Sequence, residues 1–277
     1  MMEATVAQWV GRTETMQDIA TASPLAGLST ALDHPVPLRP PEVVPPLGHW
    51  MYFLPRTRQS DIGDDGHPRR GGFLPPVNLP RRMWAAGDVW FHRAIPVNVP
   101  VTRRSSILDV ARKDGKSGRL VFVKVAHEIT TPGGVAVTET QDIVYREASS
   151  TGAADATAPP PAAPAWERVV TPDSVLLFRY SALTFNAHRI HYDREYARHE
   201  EGYPGLVVHG PLTATLLMDL FLRYNPDTRV TRFRFRARRP VFDNHPLTLC
   251  GAPRQGGADL WALDHTGVVA MTAEVDA

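Results

Sequence analysis

The chain has 277 residues, 43% of them hydrophobic and 21% charged, with a formal net charge of +1. Those are globular values that exclude a disordered chain, and a charge so near zero gives no reason to expect nucleic acid or a membrane surface as a partner. The single cysteine, Cys250, excludes an internal disulfide framework and fits a reducing compartment.

Met1 to Gly11 lacks the basic region and the roughly 7–15-residue apolar run of a signal peptide. No apolar run approaches the ~20 residues that span a bilayer. A soluble, cytoplasmic protein is expected. Nearly all the positive charge is arginine, since only Lys113, Lys116 and Lys124 are lysines.

Residues 2 to 33 predict two weakly helical segments. Thr13-Glu14-Thr15-Met16-Gln17-Asp18 leads into Ile19-Ala20, and Ser23-Pro24 resembles a cap with proline at the first helical position. Ala26, Leu28, Ala31 and Leu32 would form the buried side of the second. His34 to Pro80 is rich in proline and glycine, so loop dominates, and its length suits a lid or a binding loop as well as a surface insertion. Within it, His49 to Leu54 reads as a strand.

From Trp84 the pattern turns to β: Asp88 to Ile95, Val101 to Ala111, Leu120 to Glu128 and Val135 to Tyr145 predict a four-stranded antiparallel meander. The second and third of these are joined by a turn at Lys113 to Gly118. Ser149 to Pro164 is an Ala/Pro/Thr/Gly run without large apolar side chains, the composition of a linker. After Trp166 a helix or turn is expected. Tyr180 to Asp193 then forms an apolar run, a histidine-bearing turn and the start of a short charged helix. Asp193 caps that helix, Arg194 to Glu200, with Gly202 beyond its end. The apolar helix Pro211 to Leu222 follows, closed by Asn225-Pro226-Asp227. Strands are expected at Val230 to Ala237, Leu247 to Gly251, Asp259 to Asp264 and Val268 to Asp276.

The two parts echo each other. Phe91-x-x-x-x-Pro96-Val97 with Thr102 beyond matches Phe235-x-x-x-x-Pro240-Val241 with Thr248 beyond, and each part reads as helical material followed by strands. An internal duplication governs the fold. We therefore expect an α+β double hotdog: two helix-wrapped antiparallel sheets, residues 1–148 and 165–277, joined by the linker 149–164. A homodimer through sheet edges is compatible with this fold, and no particular residue specifies one.

Asn186-Ala187-His188-Arg189-Ile190-His191 with Asp193, and Val208-His209-Gly210-Pro211-Leu212, resemble the hydratase motif and following turn of MaoC-type enoyl-CoA hydratases. Thr184 to Asp193 and Tyr203 to Leu212 are closest to the branch of mesaconyl-C4-CoA hydratases, itaconyl-CoA hydratases and type 2 hydroxyacyl-thioester dehydratases. Trp9-Val10-Gly11-Arg12-Thr13-Glu14, Val101 to Ser105 and Leu120 to Val123 extend the likeness over almost the whole chain. The resemblance implies a lyase that reversibly hydrates an α,β-unsaturated acyl-CoA, with coenzyme A as part of the substrate and no other cofactor. The alternatives are a fatty-acid-type 3-hydroxyacyl-thioester dehydratase and a non-catalytic acyl-thioester-binding subunit.

The residues suit that chemistry. His191 titrates near neutrality and can carry the proton transfers, although a structural histidine is the bland alternative. Gly210 at a helix start can bring its amide to the thioester oxygen with the helix dipole behind it. Asn186 stands where the family usually has an aspartate. An amide cannot act as a base but can position water, and an uncharged residue there would tolerate a substrate bearing its own carboxylate. His188 reads equally as a polar contact or an exposed turn residue.

Arg189 can clamp a carboxylate or simply lie in solvent, and His209 can buttress the turn. Arg232, Arg234, Arg236 and Arg238 alternate along one strand face, suited either to coenzyme A phosphates or to a solvated face or dimer edge. The latter pair, Arg236 and Arg238, are the candidate phosphate contacts. No metal site is expected, because the His188/His191 spacing has no matching acidic or cysteine ligand. The first half lacks such a histidine pair, so it is expected to be a non-catalytic copy that shapes a tunnel, with Trp50, Tyr52, Phe73 and Trp84 as candidate lining. Cys250 has no nearby histidine to activate it.

Overall fold

The computed structural model describes residues 8–35, 41–115, 118–147 and 159–277. Most of the expected linker, part of the turn at Lys113 to Gly118, Met1 to Ala7 and Val36 to Pro40 lie outside these residues. Ten strands form one antiparallel sheet in the order β1-β3-β4-β5-β2-β7-β10-β9-β8-β6.

The first half supplies β1 (Thr13–Ile19), β2 (Arg81–Phe91), β3 (Pro100–Gly115), β4 (Gly118–Thr131) and β5 (Gly134–Arg146). The second supplies β6 (Trp166–Val170), β7 (Arg232–Ala237), β8 (Leu247–Arg254), β9 (Gly257–Leu263) and β10 (Val269–Asp276). Read outward from the central β2–β7 pair, the two halves follow the same order, β5-β4-β3-β1 and β10-β9-β8-β6. The duplication seen in sequence is thus a duplication of topology. The repeated Phe…Pro-Val…Thr pattern spans equivalent connections, β2 to β3 and β7 to β8.

Several expectations change. Thr13 to Ile19 is a strand, not a helix: its residues alternate in burial and seven of them pair with Pro100 to Ser106. A long-range ladder outweighs a weak local preference. The helix after it, α1 (Ala22–Ala31), starts one residue before Ser23, with Thr21 at its N-cap. The apolar run at His49 to Leu54 is no strand, because Leu47 and Phe53 have positive φ and the chain coils into a single 3-10 turn, Gly48–Met51. A short continuous apolar run has no period to distinguish the two. The first-half strands are not a simple meander, since β2 pairs with β5 and β7 rather than β3. Trp166 to Val170 is an edge strand on β8. β7 is central to the sheet, so the arginine strand is not a dimer edge.

The second half carries three more helices: α2 (Ser174–Thr184), α3 (Arg194–His199) and α4 (Gly210–Tyr224). Asp173 caps α2 through the Leu176 amide, and Asp193 caps α3 through the Tyr196 amide. α4 is buried on nearly every side from Leu212 to Phe221 and packs on β8, β9 and β10. It is the core element of the molecule. Among the described residues no helix is long and apolar enough to cross a membrane.

Candidate active site

α2 ends at Phe185, whose left-handed backbone (φ 49°) turns the chain, and the Asn186 amide closes the turn on the Ser181 carbonyl at 2.8 Å. Asn186 Oδ1 then accepts the His188 amide at 3.0 Å. The chain runs through a 3-10 turn at Arg189–His191 into α3. It returns through Tyr203 to Val208, where the Val207 amide donates to the Ile190 carbonyl at 2.9 Å and the Val208 amide to Val241 at 2.8 Å. Asp243, almost fully buried, pins this return. Its carboxylate accepts the Leu206 amide at 2.9 Å and the Arg194 guanidinium.

These segments bring the histidines together. His191 is 7% exposed, and its Nδ1 lies 2.7 Å from the Val207 carbonyl. A carbonyl only accepts, so the proton sits on Nδ1 and Nε2 keeps its lone pair. Burial pushes the pKa of His191 down to about 4, so the ring is neutral near pH 7. His209 stacks on it with centroids 3.6 Å apart, and its Nε2 lies 2.9 Å from Ser181 Oγ. His209 thus sits between the His191 ring and Ser181 of α2. His188 meets His191 edge-on at 5.4 Å and is itself buried, with its pKa lowered to about 3 by burial and by the neighbouring His191 and Arg82. It is therefore not an exposed turn residue.

Gly210 opens α4. Unlike α2 and α3, α4 has no side-chain cap, and its second residue is Pro211. The first amides of a helix have no partner within it, so the amide of Gly210 stays available at the positive end of the dipole.

A cavity of about 1080 Å³ runs over these groups. It exceeds the roughly 300–1,000 Å³ usual for small-molecule sites, which leaves room for a long ligand. Nine arginines and three glutamates line it. A chain of net charge +1 thus concentrates positive charge in one hollow, the field an anionic ligand needs. Trp50, Tyr52, Phe73 and Trp84 all lie in its wall. Among the described residues no cluster of three or more His, Cys, Asp or Glu is arranged to hold a metal ion.

Three comparisons bear on this geometry. The model of the family "Hydroxyacyl-thioester dehydratase type 2" matches residues 47–243. A mesaconyl-C(4)-CoA hydratase of Chloroflexus aurantiacus is 46% identical, over 97% of this chain and 96% of that protein.

The chain belongs to the type 2 hydroxyacyl-thioester dehydratase family.

The mitochondrial type 2 hydroxyacyl-thioester dehydratase of Schizosaccharomyces pombe is 28% identical over 73% of this chain and 75% of its own. Among solved structures, a MaoC-like dehydratase from Phytophthora capsici superposes with a TM-score of 0.74 at 12% identity, covering 99% of this chain and 97% of that one. A Mycobacterium tuberculosis protein described as a double hotdog matches at 0.59 and 12% identity, over 96% and 95% of the chains. The fold is a double hotdog.

Within this family member some sequence-predicted residues lie elsewhere. Arg189 does not line the cavity. It grips Asp193 Oδ2 at 2.7 Å and the Asp64 carbonyl at 3.0 Å, and it lies over the Tyr196 ring. A guanidinium so engaged is not a substrate clamp. Arg236 is exposed on β7 and absent from the cavity wall, whereas Arg238 lies at the rim. Arg232 and Arg234 pair with Asp88 and Glu274. Asn186 Oδ1 accepts one bond, from the His188 amide, and its NH2 group and second oxygen lone pair make no hydrogen bond within the described residues. Burial lifts the Cys250 thiol to about 11, far from a thiolate.

The proline- and glycine-rich segment, for which a lid or binding loop was one of the expected readings, docks at a place the sequence did not indicate. The first-half loop 63–67 lies directly on the histidine turn, with the Arg189 amide donating to the Asp65 carbonyl at 2.9 Å. Gly66 has φ +86°, and a Cβ there would stand 1.8 Å from the Ala187 carbonyl oxygen. Only glycine lets the two backbones meet. His67 packs edge-on against His188 at 4.1 Å. Glu201 lies 4.0 Å from His188 Nε2 and pairs with Arg81 at 3.3 Å.

A buried polar cluster in the first half was missed as well. Glu139, 4% exposed, accepts from His49, Trp50 and Gln141 at 2.8–3.2 Å. Burial raises its pKa, but the His49 hydrogen bond and charge outweigh that and hold the carboxyl below its usual range. Nothing in the spacing of these residues signals a cluster. Its members come from a 3-10 turn and the strand β5.

Proposed function

We propose that this protein reversibly hydrates the double bond of an α,β-unsaturated acyl-CoA whose acyl group carries a free carboxylate, with mesaconyl-C4-CoA as the leading substrate. One observation carries the reading: a neutral histidine with a free Nε2 sits beside an uncapped helix N-terminus in an arginine-lined cavity. The identity to the Chloroflexus hydratase supports the substrate class.

The chemistry follows from the residues. Water held by His191 Nε2 and the Asn186 NH2 group attacks the β-carbon while Nε2 takes its proton. Negative charge develops on the thioester oxygen, where the Gly210 amide and the α4 dipole stabilise it. Burial makes the imidazolium short-lived, so it passes the proton on to the α-carbon. The Nδ1–H bond to Val207 keeps the ring oriented and offsets part of the basicity lost to burial. Dehydration is the same path in reverse. An aspartate in place of Asn186 would put a second negative charge near the substrate carboxylate.

The test is a panel of enoyl-CoA thioesters, with mesaconyl-C4-CoA and itaconyl-CoA beside plain-chain crotonyl-CoA and longer homologues. Higher kcat/KM for the carboxylate-bearing members is expected. A preference for long plain chains would replace this reading with a fatty-acid-type dehydratase, and no turnover of any member would leave a binding subunit.

A further inference from the structure

The cavity's arginines differ in what they already hold. Arg56 donates to the Gln17 carbonyl, and Arg70 to the Val77 and Pro80 carbonyls. Arg81 pairs with Glu201, Arg103 with Glu14, and Arg239 with Asp264. Arg146 has a partner too. Three lining arginines, Arg69, Arg82 and Arg238, have guanidinium groups with no hydrogen-bond or ion-pair partner among the described residues. Arg69 and Arg238 are exposed at the rim, where solvent satisfies them; Arg82 is half-buried. A cavity-wall guanidinium with no acceptor from the protein keeps its paired donors for a ligand.

Its position is specific. Arg82 and Trp84 are two residues apart on β2, ahead of the irregularity between Trp84 and Ala86, so they share a face. The Trp84 carbonyl is 3.6 Å from where a Cβ on Gly210 would stand. Arg82 is also close enough to His188 to oppose its protonation, and close enough to Asp65 to favour that carboxylate's charge. Arg82 is therefore the least exposed of the three and lies within electrostatic reach of His188 in the histidine turn, whereas Arg69 and Arg238 are exposed.

We propose that Arg82 binds the free carboxylate of the acyl group, and that this contact selects acid-bearing thioesters over plain ones. The inference rests on the substrate class proposed above and names the residue that reads it. A planar guanidinium offers paired donors in the geometry a carboxylate accepts. In a short dicarboxylic acyl group the carboxylate is only a few bonds from the thioester, so its anchor must lie near His191 and Gly210. The rim arginines stay free for the phosphates of coenzyme A. No bond is made or broken by Arg82; it is a specificity-determining residue.

The experiment compares wild type, Arg82→Gln and Arg82→Lys on mesaconyl-C4-CoA and crotonyl-CoA, with free coenzyme A as a competitive inhibitor. Loss of a charged hydrogen-bonding contact is worth roughly 10- to 100-fold. For Arg82→Gln we expect a fall of that size in kcat/KM on mesaconyl-C4-CoA and a change below about threefold on crotonyl-CoA. Arg82→Lys should fall between the two, because it keeps the charge and loses the fork. Inhibition by coenzyme A should be unaffected, which also reports an intact fold. Equal losses on both thioesters would mean that Arg82 only supports the Asp65 loop, and weakened coenzyme A inhibition would mean that it binds phosphate. Either result overturns the proposal, as does no loss at all. A wild type indifferent to the carboxylate would instead defeat the substrate reading itself.

Discussion

The two halves share one strand order and differ in what they build on it. In the second half β8, β9 and β10 are 8, 7 and 8 residues long and wrap the 15-residue α4. In the first half β3, β4 and β5 run to 16, 14 and 13 residues. There, among the described residues between β1 and β2, the chain offers only α1 and two 3-10 turns and no long central helix. The half that keeps its helix can aim an uncapped N-terminus and a histidine turn at one point. The half without it has open space and long strands, from which it supplies cavity wall, a covering loop and Arg82.

That comparison breaks most visibly at His191. His191→Gln should lower kcat by about 10²–10⁴-fold, the usual worth of a general acid–base group, with an unchanged circular dichroism spectrum. The first-half histidine His127, which hydrogen-bonds Ser105 at 2.9 Å, is the control. His127→Gln should leave kcat within a few-fold, and comparable losses in the two variants would erase the difference between the halves.

A smaller effect is expected at the seam between the halves. Gly66→Ala forces a side chain into the Ala187 carbonyl and must lift the 63–67 loop from the histidine turn. Displacements of about 1 Å can cost on the order of 10²-fold, so kcat/KM should fall by roughly 10- to 100-fold, with faster exchange of the Arg189 amide measured by hydrogen exchange. Wild-type activity in that variant would show that the loop is mere surface.

The smallest effect is on stability against pH. Burial lowers His127 and His191 to about 4 and His188 to about 3. In the unfolded chain they titrate near 6.5. Below that pH the unfolded state binds more protons, so stability held above about pH 6.5 is lost as the pH falls toward 4. Urea midpoints at pH 7.5, 6 and 5 should fall in that order, and His127→Gln should flatten the trend. Midpoints that rise on acidification would contradict the buried, neutral state of these rings.

Much of this was legible in the sequence, and for identifiable reasons. The duplicated Phe…Pro-Val…Thr pattern gave the double fold because strand order follows from repeated connections. His191, Gly210 and the Asp193 cap were legible because their partners lie within one local stretch. Arg189 was misread because its acceptors, Asp193 and the Asp64 carbonyl, are split between that stretch and a loop 125 residues away. Arg82, His67 and Glu201 were missed for the same reason: their roles arise only when β2 and the proline-rich loop are brought against the second half. Thr13 to Ile19 and His49 to Leu54 exchanged helix and strand because a ladder and two positive-φ residues, both tertiary effects, decided them.

The most direct test of one active site built by both halves is the binding stoichiometry of a substrate analogue that cannot be hydrated, such as succinyl-CoA, measured by isothermal titration calorimetry. One molecule should bind per chain, with its affinity lowered as a single class in Arg82→Gln. Two equivalent molecules per chain would contradict it, since each hotdog would then carry a working site of its own.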